Sequence, residues 1–388
     1  MMTTGIGREW PSEMKVTTDP VSGATVRQLT DYRGHSNHSY FTYRCWYDGG
    51  RKVVIVSDRE NRPNLFGVDI AGGEMTQLTD CAPAKGLGRH ALIKNPTREE
   101  IYFSYDGALR ALDLKTCEMR KLFRWPDGYR GGSSDVTADG RYLIAGVTED
   151  LSDRMTLDLG HGYVGFAEMW AAAPYSMVYR INVDGSGDQL IHEDRCWLGH
   201  FNASPGLANI MTFCHEGPWN RVDNRIWGLD IETGRSWEIR PTGAGETVGH
   251  EYWMSDGEHI GYHGHVQGKG IYGSIRYDDT DRKEFPFEGH CWHFHSHMLD
   301  LVVGDGNAKE PYLFAWRLRE GSFEGPKVLA WHRGSFHIQA VYVHPAVHDE
   351  GRKVLYTADP QGYGQVYLVE VPDFDSLPDW EQVQDGKK

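Results

Sequence analysis

Residues 65–80 read LFGVDIAGGEMTQLTD. An apolar-x-apolar strand runs into Asp69, a glycine turn follows at Gly72 and Gly73, and a second strand returns through Met75 and Leu78, which is the pattern of a β-hairpin. The same form recurs as LRALDLKTCEMRKLF from Leu109, VYRINVDGSGDQLI from Val178, RIWGLDIETGRSWEI from Arg225, IYGSIRYDDTDRKEF from Ile271 and LFAWRLREGSFEGPKVL from Leu313. A seventh, QVYLVEV from Gln365, lacks its returning strand. The segment DPVSGATVRQLTD from Asp19 supplies that missing half, so the two ends of the chain are expected to pair.

A second signal, a turn leading into β-branched and aromatic residues, precedes each hairpin: YDGGRKVVIV, NPTREEIYF, TADGRYLIAG, SPGLANIMTF, SDGEHIGYH, MLDLVVG and HDEGRKVLYT. The hairpin centres Val68, Leu112, Ile181, Leu229, Ile275, Trp316 and Leu368 recur at intervals that fit a four-stranded blade of ~40–50 residues. The spacing predicts an all-β chain, a seven-bladed β-propeller over 1–388 as a single domain, closed by N-terminal strand pairing into the C-terminal blade. One interval is too long. There TEDLSDRMTLDLGHGYVGFAEMWAAAPYSM, at about 148–177, inserts a partly helical, aromatic stretch with Phe166, Trp170 and Tyr175. It is either a lid over the central mouth or a solvated surface loop. A doubly wound sheet would need amphipathic helices between the strands, and none is visible outside the insertion.

Composition narrows the function classes. A formal charge of −15 argues against nucleic acid, whose phosphates demand a basic surface. An acidic ligand would then need a local cation to hold it. The first twenty residues have no apolar run of the kind a signal peptide needs, and no stretch of eighteen apolar residues could span a bilayer, so a soluble, cytoplasmic protein away from membranes is expected. Six cysteines without a CxxC pair read as reduced. The sequence leaves the oligomeric state open.

Nineteen histidines are many for 388 residues, and they crowd towards the C-terminal part of the chain. In GHCWHFHSHMLDLVVGDG, His293, His295 and His297 alternate and would share a strand face. FHIQAVYVHP carries His337, Gln339, Tyr342 and His344. Imidazole and amide donors without a thiolate suit Mn²⁺, Ni²⁺, Zn²⁺ or Fe²⁺ alike. A third group lies in CHEGPWNRVDNRIW and GETVGHEYWMSDG, where His215, Glu216, Arg225 and His250 stand at expected strand ends; taken singly, each has an ordinary reading as a turn residue or hydrogen-bond anchor.

At WLGH, FCHEGPWNRVDNRIW, GHEYW, LVVGDG and the HP of VYVHP the chain resembles the oligogalacturonate lyases, nearly end to end. That resemblance implies a cytoplasmic seven-bladed propeller that degrades pectin fragments. It implies His250 as the general base and Arg225 as its assistant; His200, His215, Glu216 and Tyr342 are the residues expected to bind substrate beside them. It further implies a divalent metal, usually manganese, held by His293, Gln339 and His344. Tyr342 stands where the family has another ligand histidine, and a phenol is a poor ligand near neutral pH. Three outcomes follow: His295 or His337 replaces the donor, the ion binds through three protein ligands and water, or the site serves a different uronide, with Tyr342 protonating the leaving group.

The implied reaction is a metal-assisted β-elimination on uronic-acid oligosaccharides that leaves a 4,5-unsaturated uronate. Two rivals fit the repeats. A propeller glycosidase would need two carboxyls flanking the bond, and a non-catalytic carbohydrate-binding propeller would give the clustered histidines no task.

Overall fold

The computed structural model describes residues 5–348 and 350–386, and among these the strands form seven antiparallel sheets. Each hairpin read from the sequence is the outer half of one sheet, and each turn-then-strand signal is a strand beside it. The hairpin at residues 65–80, for example, is Asn64–Asp69 with Met75–Gln77, and Lys52–Ser57 lies on its inner side. The seven sheets are the blades of the expected seven-bladed β-propeller.

The recurrent Asp at the end of the first hairpin strand has a local cause. Asp69 Oδ1 accepts hydrogen bonds from the backbone N–H of Ala71 (2.9 Å) and Gly72 (3.0 Å). Asp113 does the same for Lys115 and Thr116, and Asp230 for Glu232 and Thr233. A short carboxylate that bonds the backbone two and three residues on closes the turn without a strand partner.

The chain divides into two compact units, Met1–Ala84 with Phe285–Lys388, and Lys85–Glu284. In the first unit one sheet contains Lys15–Thr18, Thr25–Gln28, Gln365–Glu370, Lys353–Ala358 and Ala346–His348, in that order. Val26 pairs with Val369, and Arg27 donates to Glu370 at 2.9 Å. The two ends of the sequence therefore share one blade, as the incomplete seventh hairpin required. A core of Val303, Leu313, Leu329, Val343, Val354, Tyr356 and Val369 packs that sheet against Phe294–Ser296, Leu301–Gly304, Tyr312–Arg319 and Ser322–Trp331.

The second unit carries four sheets of four strands, the outer strand of the last, Lys283–Pro286, ending just past its boundary. Ile144, Val178, Phe201, Met211, Phe213 and Leu229 fill one inter-sheet layer, and Ile226, Val248, Ile260, Tyr262 and Ile275 another. Full burial of such side chains contributes about 1.5–3 kcal/mol each. The inner strands of three sheets, Tyr129–Val136, Leu198–Ala203 and Glu246–Trp253, all shift register midway. A bulge of this kind breaks the pleat and re-aims the side chain it carries.

The insertion leaves the strand Tyr142–Glu149 and returns at Ser176–Asn182, with a helix at Phe166–Ala171. Trp170 lies so close over Gly217 that a Cβ there would meet its ring at 2.4 Å. Arg221 sits over the same indole, and Phe166 meets Trp197 edge-on at 5.5 Å. One side of the insertion is thus packed against the loop that follows His215.

Candidate active site

Two of the bulges each present a histidine after a glycine. In WLGH and VGHEYW, His200 and His250 have left-handed backbone, φ 49° and 50°. Their strands shift register between Gly199 and Asn202 and between Gly249 and Tyr252. Gly249 is needed for close approach, because a Cβ on it would lie 2.4 Å from the Trp219 ring. Trp219 in turn meets His250 edge-on at 5.1 Å and His263 at 5.5 Å. His250 Nδ1 and His263 Nε2 are 3.1 Å apart, and the rings of His200 and His250 lie 6.5 Å apart.

Beneath these imidazoles lies a buried charge cluster. Arg225, 2 % exposed, gives Nη1 to Glu216 Oε1 at 2.8 Å and Nε to Glu251 Oε2 at 3.4 Å. Glu251 is fully buried. His200 stands between the same two carboxylates, with Nε2 3.3 Å from Glu216 and Nδ1 3.9 Å from Glu251. Burial alone would raise the Glu216 carboxyl, but the charge of Arg225 and the hydrogen bond from His200 outweigh it and hold the group far below its ordinary range. The guanidinium of Arg225 is thus committed to two carboxylates, and His200 faces the same pair.

His215 does not join this group. Along the strand Ile210–His215 alternate residues point to opposite faces, so His215 points away from Cys214 and Glu216. Its Nδ1 meets Asp223 at 2.7 Å and its ring stacks on Trp227 at 4.5 Å. His200, Cys214 and Glu216 do bring donor atoms within 4.8 Å of one another. Burial pushes the Cys214 thiol well up, and the adjacent guanidinium already neutralises Glu216, so these groups suit a cation poorly.

The donors expected for a metal lie in the other unit. His293 and His344 meet with ring centres 4.3 Å apart, bordered by Tyr40 and Phe41. Asp305, fully buried, holds His293 twice: Oδ1 accepts its backbone N–H at 2.8 Å and Oδ2 lies 2.7 Å from Nδ1. A carboxylate only accepts, so Nδ1 carries the proton and Nε2 keeps its lone pair, the arrangement typical of a metal-bound imidazole. His38 Nε2 lies 2.9 Å from the backbone carbonyl of His344, whose φ is 44°. Gln339 is half-buried in a short helical turn, Gln339–Val341, just ahead of Tyr342. Nitrogen and amide-oxygen donors without a thiolate fit a divalent ion such as manganese.

Tyr342 is buried beside them, 6.2 Å from His293 and 5.8 Å from His344 by ring centres. Burial and the charge of Asp305 raise its phenol, which stays protonated and makes a weak donor to a metal. His295 does not replace it. Its Nδ1 accepts the backbone N–H of Val347 at 2.9 Å, so its other nitrogen carries the proton, and burial lowers the ring to about 3. His337 is largely exposed and bound through Nδ1 to Ser335 Oγ at 2.6 Å.

Several residues of these groups were not singled out from the sequence. Asp305 sits inside LVVGDG, Glu251 inside GHEYW and Trp219 inside CHEGPWNRVDNRIW, while His263 is one of the clustered histidines, and none of the four was given a role. The available signal was the acidic residue twelve positions after a candidate ligand histidine.

A family model described as oligogalacturonate lyase matches residues 5–375. An oligogalacturonide lyase of Pectobacterium atrosepticum is 25% identical over 95% of this chain and 98% of its own length. An oligogalacturonate lyase of Dickeya dadantii is 24% identical over 92% and 95%. Among solved structures, an oligogalacturonate lyase in complex with manganese superposes with a TM-score of 0.85 at 24% identity, over 95% of this chain and 99% of the other.

Proposed function

Because the chain belongs to the oligogalacturonate lyase family, we propose that it cleaves uronic-acid oligosaccharides, oligogalacturonate foremost, by β-elimination. The observation that carries this reading is His250, an imidazole aimed by a bulge and engaged through Nδ1 by a second imidazole. Imidazole is the side chain whose unperturbed pKa, about 6.5, suits it as a class to accept a proton close to neutral pH. In the reaction the C5–H proton passes to His250 and the bonding pair becomes the C4=C5 double bond. The C4–O4 bond breaks, and the departing oxygen takes a proton from solvent.

His293, His344 and Gln339 would hold manganese. When bound, the ion supplies Lewis-acid stabilisation of charge developing on a sugar carboxylate, worth several kcal/mol. Asp305 fixes the proton of His293 on Nδ1. Asp305→Asn should weaken manganese binding roughly 10- to 100-fold, the usual consequence of losing the outer partner of a ligating imidazole. Titration calorimetry with Mn²⁺ measures this without reference to turnover. Unchanged affinity would remove the ion from these ligands.

Hydrolysis is the less favoured reading. It requires a carboxyl kept protonated near neutrality, and Glu216 is held in the opposite direction by Arg225. We place the protein in the cytoplasm with a soluble acidic oligosaccharide as substrate. Six cysteines with none disulfide-bonded suit a reducing compartment, and no helix among the described residues is long and apolar enough to cross a membrane. A charge of −15 disfavours nucleic acid. The test is incubation with oligogalacturonate and with glucuronate- and rhamnose-containing oligosaccharides, following the ultraviolet absorbance of an unsaturated uronate. Saturated products alone, or no product from any uronide, would sink the proposal.

A further inference from the structure

The pairing of His250 with His263 has a consequence for proton chemistry. Two ring nitrogens 3.1 Å apart share one hydrogen, so one ring donates and the other accepts. If His250 donates from Nδ1, its Nε2 keeps a lone pair and can take a proton. If His263 donates, a neutral His250 carries its own proton on Nε2 and cannot act as a base there. The partner's tautomer therefore decides whether His250 is competent.

The fold supports this contact from several sides. His263 lies on the strand His259–Val266, directly across from Gly249, the residue before the bulge. The bulge carries the His250 ring over that neighbour, with ring centres 5.3 Å apart and tilted by 38°. Trp219 borders both rings, and Gly249 leaves room for it.

We propose that His263 is a positioning residue of the elimination: it accepts the Nδ1–H of His250 and so holds His250 in the tautomer whose Nε2 receives the substrate proton. The proposal rests on the reading of His250 as base. After transfer, the C5 proton is on Nε2, His250 is an imidazolium, and its Nδ1–H makes a charge-assisted bond to neutral His263. The arrangement parallels a carboxylate–histidine pair with the carboxylate replaced by a neutral acceptor. A neutral partner orients the ring without the strong rise in basicity that a buried carboxylate would impose.

The experiment compares His263→Ala, His263→Gln and the parent with the same oligouronide, and records ¹⁵N spectra of the His250 ring in labelled protein. The Ala variant should lose roughly 10- to 100-fold in kcat with KM nearly unchanged, on the scale of removing an outer partner of a functional imidazole. The Gln variant, whose side-chain oxygen can accept the same hydrogen, should recover most of the loss. The parent spectrum should show His250 protonated on Nδ1, and the Ala variant should lose that preference. A parent His250 protonated on Nε2 overturns the proposal even if neither variant folds, as does a Gln variant no better than Ala. His250→Asn separates the two levels: if it is inactive while His263→Ala matches the parent, only the positioning role fails, and if it is active the base assignment itself fails.

Discussion

Replacing His250 with asparagine should lower kcat by about 10²–10⁴-fold, the range expected for loss of a general base, with the thermal melt nearly unmoved. Asparagine is the informative substitute because the site has φ 50°. It adopts left-handed backbone more readily than alanine, for which that conformation costs roughly 1–2 kcal/mol. Lost activity then reports chemistry and not a collapsed bulge. The measurement is the initial rate of unsaturated product formation beside a calorimetric scan. A variant that keeps more than a tenth of parental kcat would release His250 from the base role.

Arg225→Ala should be the most destabilising single change at this site, by about 3–5 kcal/mol near neutral pH. Its guanidinium is the charged partner of Glu251, which is fully buried, and of Glu216. Removing it leaves two carboxylates in a place where their charge is poorly solvated. The pH dependence follows. Glu216 is depressed below its ordinary 4.5 in the native protein, so its contribution to stability is present above that value and fades as pH falls towards the lower, native one. In the variant, burial without the cation favours the protonated carboxyl. The stability gap between parent and variant should therefore be widest near neutrality and narrow below about pH 4.5. Urea denaturation at pH 7 and at pH 4 checks this, and a gap that widens on acidification would contradict the assignment.

The blades were legible because one small device repeats. An aspartate closing its own turn, as at Asp69, Asp113 and Asp230, marks the strand end wherever it occurs and needs no distant partner. The site was legible only in part. That His215 stands apart from Cys214 and Glu216 was available from alternation alone, since a strand that faces those two one way must face His215 the other. Alternation correctly put His293 and His295 on the same side, each 5.7 Å from Phe41, but it is blind to the Val347 N–H that occupies His295. The bulges at His200 and His250 depend on the register between strands, which no single strand encodes. The pairing of His250 with His263 depends on that same register and was not read.

The blade shared by Thr25–Gln28 and Gln365–Glu370 bears on how the protein is made. During synthesis the early strand leaves the ribosome with its partner still untranslated, because Gln365–Glu370 follows far behind Gln28 in the sequence. At ~5–20 residues per second the wait lasts tens of seconds. For that interval an unpaired edge is open to neighbouring chains, and a stop codon ahead of Gln365 would make the exposure permanent. Chains cut short there should collect in the insoluble fraction, whereas losing only the residues after the Phe374–Ser376 turn should leave this seam joined.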